Sequence, residues 1–355
     1  MSTARTIDEQ KLGAFVGKVV TECAAALSVP LVVIGDRLGL YKALVEAGPL
    51  TSTELAQRTG TKERYVRDWL VNQAAGEYLS YDAATNRYSL PDEHAIVLTD
   101  ENSPYFLGGA FQVTPPLVMA QDHITELFRT GEGMAWGEHD HDLFPGAERF
   151  WRSGYLGNLV NAWIPALDGV KAKLEAGATV VDVGCGYGAS LILLAQAFPR
   201  SRFFGFDLHK PSIDHARDAA REAGVADRVV FDVDSAEHYP GAVYDLITFF
   251  DSLHDMGDPV GAVRHARETL APDGSLMIVE PMAGQRVEEN LNPVGRAFSA
   301  FSVLCCTPNA IAQGGLALGT IATDQQLRDV VLAAGLSQFT RVATSPTNRV
   351  FQARA

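Results

Sequence analysis

The fold class that the sequence predicts is α/β: a doubly wound parallel sheet, preceded by an all-α region with a winged-helix outline. Three observations predict it. From Thr179 onward, apolar strand-like runs alternate with helical segments, as in a parallel sheet covered on both faces. The first of these runs ends in a glycine-rich turn, VVDVGCGYGAS, that opens a helix. Ahead of this region the order is helix, turn, helix, hairpin.

Residues 8–47 are rich in Ala, Val and Leu at helical spacing, and Gly35 and Gly39 interrupt the pattern, so two or three helices are expected. Thr51 caps a short helix, with Glu54 completing a capping box and Gly60 as its stop. Thr61 caps a second helix over Lys62–Ala75, and Gly76 ends it. Its Tyr65, Trp69 and Leu70 are assigned to the core. YLSYD and RYSL flank a polar turn from Ala83 to Asn86 and form a hairpin. Residues 100–165 are mixed, with Pro115, Pro116, many aromatics and the run WGEHDHDLF; helical spacing returns in YLGNLVNAWIPALDGVKAKL. Strands are then expected at Val180–Val183, Arg202–Phe206, Val229–Val233, Leu246–Phe250 and Leu276–Val279. Helices are expected at Ser190–Ala197, Ile213–Ala223 and Pro259–Leu270. The domain limits are 1–105, a helical pocket-lining linker 106–168, and 169–355.

Composition narrows the function. The chain has 355 residues, 47% apolar and 20% charged, enough to bury a full core. A net charge of −14 opposes phosphate backbones and anionic membranes. Thr51–Asp100 holds five Lys/Arg against eight Asp/Glu, so the helix-turn-helix lacks the basic face of a DNA reader. No nucleic-acid partner is expected. Cys23, Cys185, Cys305 and Cys306 show no disulfide or zinc spacing, which points to a reduced, cytoplasmic protein. The N-terminal MSTARTIDEQK has no apolar signal region. Apolar runs such as VPLVVIG are too short to span a bilayer, so no membrane partner is expected.

Gly184, Gly186 and Gly188 form a tight loop that by itself is ambiguous. Gly184, Gly186 and Ala189 also satisfy the relaxed dinucleotide spacing, and a plain turn needs no ligand. The surroundings separate these options. Asp182 lies inside the strand end. Asp207, in FFGFDLH, stands where a carboxylate accepts bonds from ribose hydroxyls. Asp234 and Ser235, in FDVDSA, are placed to hold an adenine edge, and LAPDGSLMIVEP leads into a fifth strand. That ordered series resembles the class I S-adenosylmethionine-dependent methyltransferases, from about residue 170 to the C-terminus. The resemblance implies a Rossmann-like seven-stranded sheet whose last two strands, FTRVATS and NRVFQAR, are an antiparallel pair. It implies S-adenosylmethionine as cofactor and S-adenosylhomocysteine as product. The cofactor residues it implies are Asp182, Gly184, Gly186, Asp207, Leu208, Asp234, Ser235 and Asp251.

With its winged-helix region the chain also resembles small-molecule O-methyltransferases, including plant phenol and hydroxyindole enzymes, and actinobacterial methyltransferases of this size. The motifs are WGEHDHDLF, WIPALDGV, LHDMGDP, EPMAG, LNPVGR and CTPNA. That likeness implies a homodimer built on the N-terminal domain and a lid-like insertion at 283–322 over the acceptor. A His-Asp pair follows strand four in the plant-type enzymes, where the histidine takes the phenolic proton. His254-Asp255 matches it, with Met256 where the family has an aromatic. His254 is the expected general base and Glu280 its orienting partner; the bland alternative is a histidine that merely packs in a turn.

In the run Gly137–Asp142, His139 and His141 share one face if the segment is extended, but nothing fixes further ligands. A metal is not expected, although Asp251 and Asp255 at strand four leave that alternative open beside a loop lining the acceptor pocket and a solvated loop. His139, His141, Tyr155, Phe301 and Cys306 are the candidate pocket residues. The apolar stretch AFSAFSVLCCTPNAIAQGG points to a small hydrophobic acceptor. Cys305 and Cys306 have no evident paired base and are not expected to be nucleophiles. The expected reaction is O-methylation. Alternatives are N- or C-methylation, or a non-catalytic regulator that binds cofactor and DNA.

Overall fold

A computed structural model describes residues 7–355. The chain divides into two compact units at Pro115–Pro116, rather than at 105. Residues 116–168 therefore belong to the same unit as the sheet.

In the first unit, α1 (Glu9–Arg37) starts at Asp8, whose side chain accepts from the N–H groups of Gln10 and Lys11. It is followed by α2 (Leu40–Ala47), α3 (Ser52–Thr59) and α4 (Glu63–Ala75). The antiparallel β1 (Ser80–Asp82) and β2 (Arg87–Ser89) and then α5 (Asp92–Leu98) complete the winged-helix outline. The Thr51–Glu54 capping box forms, and Gly60 ends α3 in the left-handed conformation.

Four local expectations need correction. Gly35 does not break α1; a Cβ there would stand 2.5 Å from Trp69, so the glycine admits close packing instead. Lys62, not Thr61, precedes α4, and the Thr61 hydroxyl meets that of Thr59. Tyr65 is 81% exposed, because the buried stripe of α4 runs through Val66, Trp69, Leu70 and Gln73. Finally, α1 has 29 residues and is long and apolar enough to cross a membrane by length and composition. Lys18 and Glu22 break its sequence into short apolar runs, and only the continuous helix joins them.

In the second unit seven strands form one sheet in the order β5-β4-β3-β6-β7-β9-β8. They are β3 (Thr179–Val183), β4 (Arg202–Asp207), β5 (Val229–Val233), β6 (Tyr244–Phe250), β7 (Leu270–Pro281), β8 (Gln338–Thr344) and β9 (Asn348–Arg354). The first five are parallel. β9 runs antiparallel between β7 and β8, so the expected terminal pair forms and also closes onto β7. Side chains alternate between two cores: Val180, Leu246 and Phe250 enter one, Val181, Ile247 and Phe249 the other. Burial on both faces explains why these strands read as continuous apolar runs. The chain order reverses between the adjacent strands β3 and β6, and an open α/β sheet offers its ligand crevice at that switch point.

Candidate active site

β3 leads into Gly184, Gly186 and Gly188, with φ of 75°, 51° and 78°. Left-handed backbone strains other residues, and space adds a second constraint at two of the three. A Cβ on Gly184 would lie 2.7 Å from Ser252, and one on Gly188 2.4 Å from Phe231. At Gly186 a Cβ would meet nothing within 4 Å. The loop is packed on its inner side and open beside Gly186. The Gly186 N–H donates to Asp207 Oδ2 at 2.9 Å, and the His209 N–H to Oδ1 at 2.8 Å. Burial raises the Asp207 carboxyl above its ordinary range. Leu208, next along, is exposed. Asp234 is half-buried and accepts from the Ser235 N–H, and the Ser235 hydroxyl meets His238 Nδ1 at 2.9 Å. Asp182 sits under the loop. Both its oxygens accept hydroxyl hydrogen bonds, from Ser190 at 2.7 Å and Thr248 at 2.8 Å, and burial pushes its carboxyl up to about 7.

The chain leaves β6 through Asp251, a non-glycine residue with φ of 51°. Such a conformation costs about 1 kcal/mol or more and persists only where neighbours over-determine it. Here the Asp251 N–H donates to Val279 O, and its carboxylate accepts from Tyr155 Oη at 2.9 Å and Asn348 Nδ2 at 2.7 Å. A 3₁₀ turn, Leu253–Asp255, then carries His254. That imidazole is 2% exposed, and its Nδ1 lies 2.7 Å from Glu280 Oε2 on β7. Burial opposes a charged ring, but the Glu280 carboxylate overrides it and holds the His254 pKa well above its ordinary value. Nδ1 is engaged by Glu280, which leaves Nε2 as the other ring nitrogen, and the Cys306 side chain also hydrogen-bonds this imidazole. The other Glu280 oxygen, Oε1, is buried with no partner among the described residues. The Asp255 carboxylate and the Cys306 thiol approach the same imidazole, the three side-chain atoms lying within 4.8 Å of one another. Cys306 therefore does stand beside a basic group, contrary to the sequence expectation. Cys305 and burial keep it a neutral thiol.

WGEHDHDLF folds as a 3₁₀ turn, Trp136–Glu138, followed by a bend. Asn309 ties it to the base turn: its Oδ1 accepts from the Trp136 N–H at 2.9 Å and its Nδ2 donates to Asp255 O at 3.1 Å. The two histidines do not share a face. His139 is buried, whereas the His141 side chain is 88% exposed and does not join the pocket, because the chain turns over the Asp140 carboxylate. His141 clusters with Asp140 and Asp142, and His139 stays outside that cluster. Tyr155 packs on Phe250, Phe301 stacks on Phe150 at 6.1 Å, and Trp151 on Phe298 at 6.0 Å. The 283–322 insertion opens onto a cavity of about 390 Å³ bounded by Met282, Gln285, Asn290, Asn292 and Arg341.

Residues 25–100 match a family described as an Rv2258c-like winged HTH domain, and residues 174–318 one described as a methyltransferase domain. A mitomycin biosynthesis 6-O-methyltransferase of Streptomyces lavendulae is 28% identical over 68% of this chain and 71% of its own length. Among solved structures, the mitomycin 7-O-methyltransferase MmcR superposes with a TM-score of 0.73 at 20% identity, covering 98% of this chain and all of MmcR. Human N-acetylserotonin methyltransferase, solved with S-adenosylmethionine, gives 0.68 at 16% identity over the whole of this chain and 99% of the human one. The chain is an S-adenosylmethionine-dependent methyltransferase with an N-terminal winged-helix domain.

The methyltransferase's loop fits that cofactor. Its one glycine with free space around it, Gly186, faces the open side, and the neighbouring Asp207 carboxylate keeps lone pairs beyond its two backbone bonds. Sequence reasoning missed Ser190, Thr248, Asn309 and Asn348, which pin the loop and the base turn. Asn309 meets partners 54 and 173 residues away, so nothing local marks it. It also missed Arg349, fully buried, which donates to Pro281 O and Ala322 O and pairs with Asp324 at 2.8 Å.

Proposed function

We propose that this methyltransferase O-methylates a small hydrophobic phenol or hydroxyl, with His254 as general base. The observation that carries this reading is the buried His254–Glu280 pair at the carboxyl end of β6. Glu280 fixes the ring and its tautomer, and Nε2 takes the acceptor proton as the oxygen is methylated. When bound, S-adenosylmethionine supplies an electrophilic methyl on a sulfonium that is already a good leaving group. The remaining work is alignment and proton removal. We assign its methionyl end to Gly184 and Gly186, its ribose to Asp207, and its adenine to Leu208, Asp234 and Ser235. Asp182 and Asp251 position these elements through the hydrogen bonds described above. The aromatic pairs Phe150–Phe301 and Trp151–Phe298 support a hydrophobic acceptor. The Streptomyces relative is a 6-O-methyltransferase, which supports oxygen as the accepting atom.

The assay is methyl transfer from labelled cofactor to a panel of substituted phenols in EDTA. His254→Ala is expected to lose roughly 10²–10⁴ in kcat with cofactor affinity unchanged. Full turnover in the variant would reduce His254 to a turn residue.

The winged-helix unit serves, in this reading, as a dimerisation element rather than a DNA reader. On α4, Arg64 pairs with Asp68 at 2.6 Å and Arg67 with Glu63 at 2.7 Å, which cancels the basic residues of that helix. Leu12, Phe15, Val16, Val19, Val20 and Leu27 of α1 are exposed, a face suited to a second copy of this chain. All four cysteines are unpaired, which supports a reducing, cytoplasmic setting.

A further inference from the structure

We infer that His139 recognises the methyl acceptor, and that the acceptor carries a second hydrogen-bonding group, a carbonyl or hydroxyl, apart from the oxygen that is methylated. The inference rests on the methyltransferase reading above and deepens it. His139 is 6% exposed, yet neither of its ring nitrogens has a hydrogen-bond partner among the described residues. Buried polar groups are nearly always bonded, and one left unmade is costly. The neighbours in its own segment are bonded: the Trp136 N–H to Asn309, the Glu138 carboxylate from the Ala135 N–H, and the Asp140 carboxylate from the Asp142 N–H. His139 is the exception in an otherwise satisfied stretch.

Its position is fixed by backbone. The Met134 N–H donates to Pro308 O at 3.0 Å, and a Cβ at Gly133 would lie 2.1 Å from Ala312 N, so the segment sits tightly on the helix Thr307–Ala312. The Asn309 side chain of that helix bonds the carbonyl of Asp255, the residue next to the base. The segment that carries the ring is therefore tied through Asn309 to the base turn. Burial lowers its pKa below the ordinary value, so it is a neutral imidazole with one N–H and one lone pair. That pair of functions, one donor and one acceptor, suits a carbonyl or hydroxyl. The cofactor is the rival occupant, because a Cβ at Gly137 would come within 3.5 Å of His209, beyond Asp207.

Full-length His139→Phe and His139→Gln decide it. For His139→Phe the ligand-free melting temperature is expected to hold or rise, because the orphaned nitrogens are gone. The acceptor KM is expected to rise tenfold or more for acceptors bearing the second group, and not for matched acceptors lacking it. Cofactor Kd stays unchanged, and His139→Gln recovers part of the loss. A melting temperature several degrees lower in His139→Phe, restored by Gln, would make His139 a structural residue and overturn the inference. A changed cofactor Kd would overturn it in favour of a cofactor contact. Failure of the wild type to methylate any panel member counts against the acceptor class proposed above, while the stability and cofactor arms still decide His139.

Discussion

His254 and Glu280 form a buried pair in which each residue sets what the other can do. The carboxylate raises the imidazole pKa above its ordinary value and so favours the protonated ring, whereas the proposed base is the neutral one. The sign follows directly: kcat/KM should climb with pH along a limb lying above 6.5. In Glu280→Gln the negative charge is gone while a hydrogen-bond acceptor remains. The limb should move to lower pH, and the maximal rate should fall through weaker orientation. A pH–rate profile of both proteins checks this, and an unmoved limb would show that another group sets it.

The glycine loop joins a strand to a helix, and its three glycines differ in what they must avoid. Gly188→Ala meets both a left-handed φ and the ring of Phe231, itself 3% exposed, at 2.4 Å. It should destabilise the fold by about 3 kcal/mol, read as a lower urea midpoint with or without cofactor. Gly186→Ala meets only the left-handed φ, since its Cβ enters open space. It should cost about 1 kcal/mol in stability while weakening cofactor binding disproportionately, because the methyl takes up ligand space. Equal effects of the two substitutions on binding and stability would contradict this division of labour.

For the whole molecule, α1 presents an exposed apolar face through Leu12, Phe15, Val16, Val19, Val20 and Leu27. Phe15→Asp with Val19→Asp places two charges on it, at positions 63% and 44% exposed. These should leave the folded chain intact, since neither side chain is buried within it. They should convert a particle of twice 38.2 kDa into one of 38.2 kDa in sedimentation. A wild type that already sediments at the smaller mass would remove the dimer from the reading.

By itself the sequence determined the local and periodic features. These were the strand–helix alternation of the second unit, the capping box at Thr51, the glycine loop and the carboxylates at strand ends, all of which depend on neighbours a few residues apart. It also placed His254 and Glu280 at the ends of successive parallel strands, because strand ends converge on one edge of such a sheet. Tertiary structure alone decided the rest. It set Cys306 against His254 across 52 residues, closed β9 between β7 and β8, and bound Asn309 to both Trp136 and Asp255. It buried His139 and exposed His141, two residues apart in one polar run. Those outcomes rest on which surfaces meet in space. A hydrogen bond between distant segments leaves no period, spacing or composition for a sequence to carry.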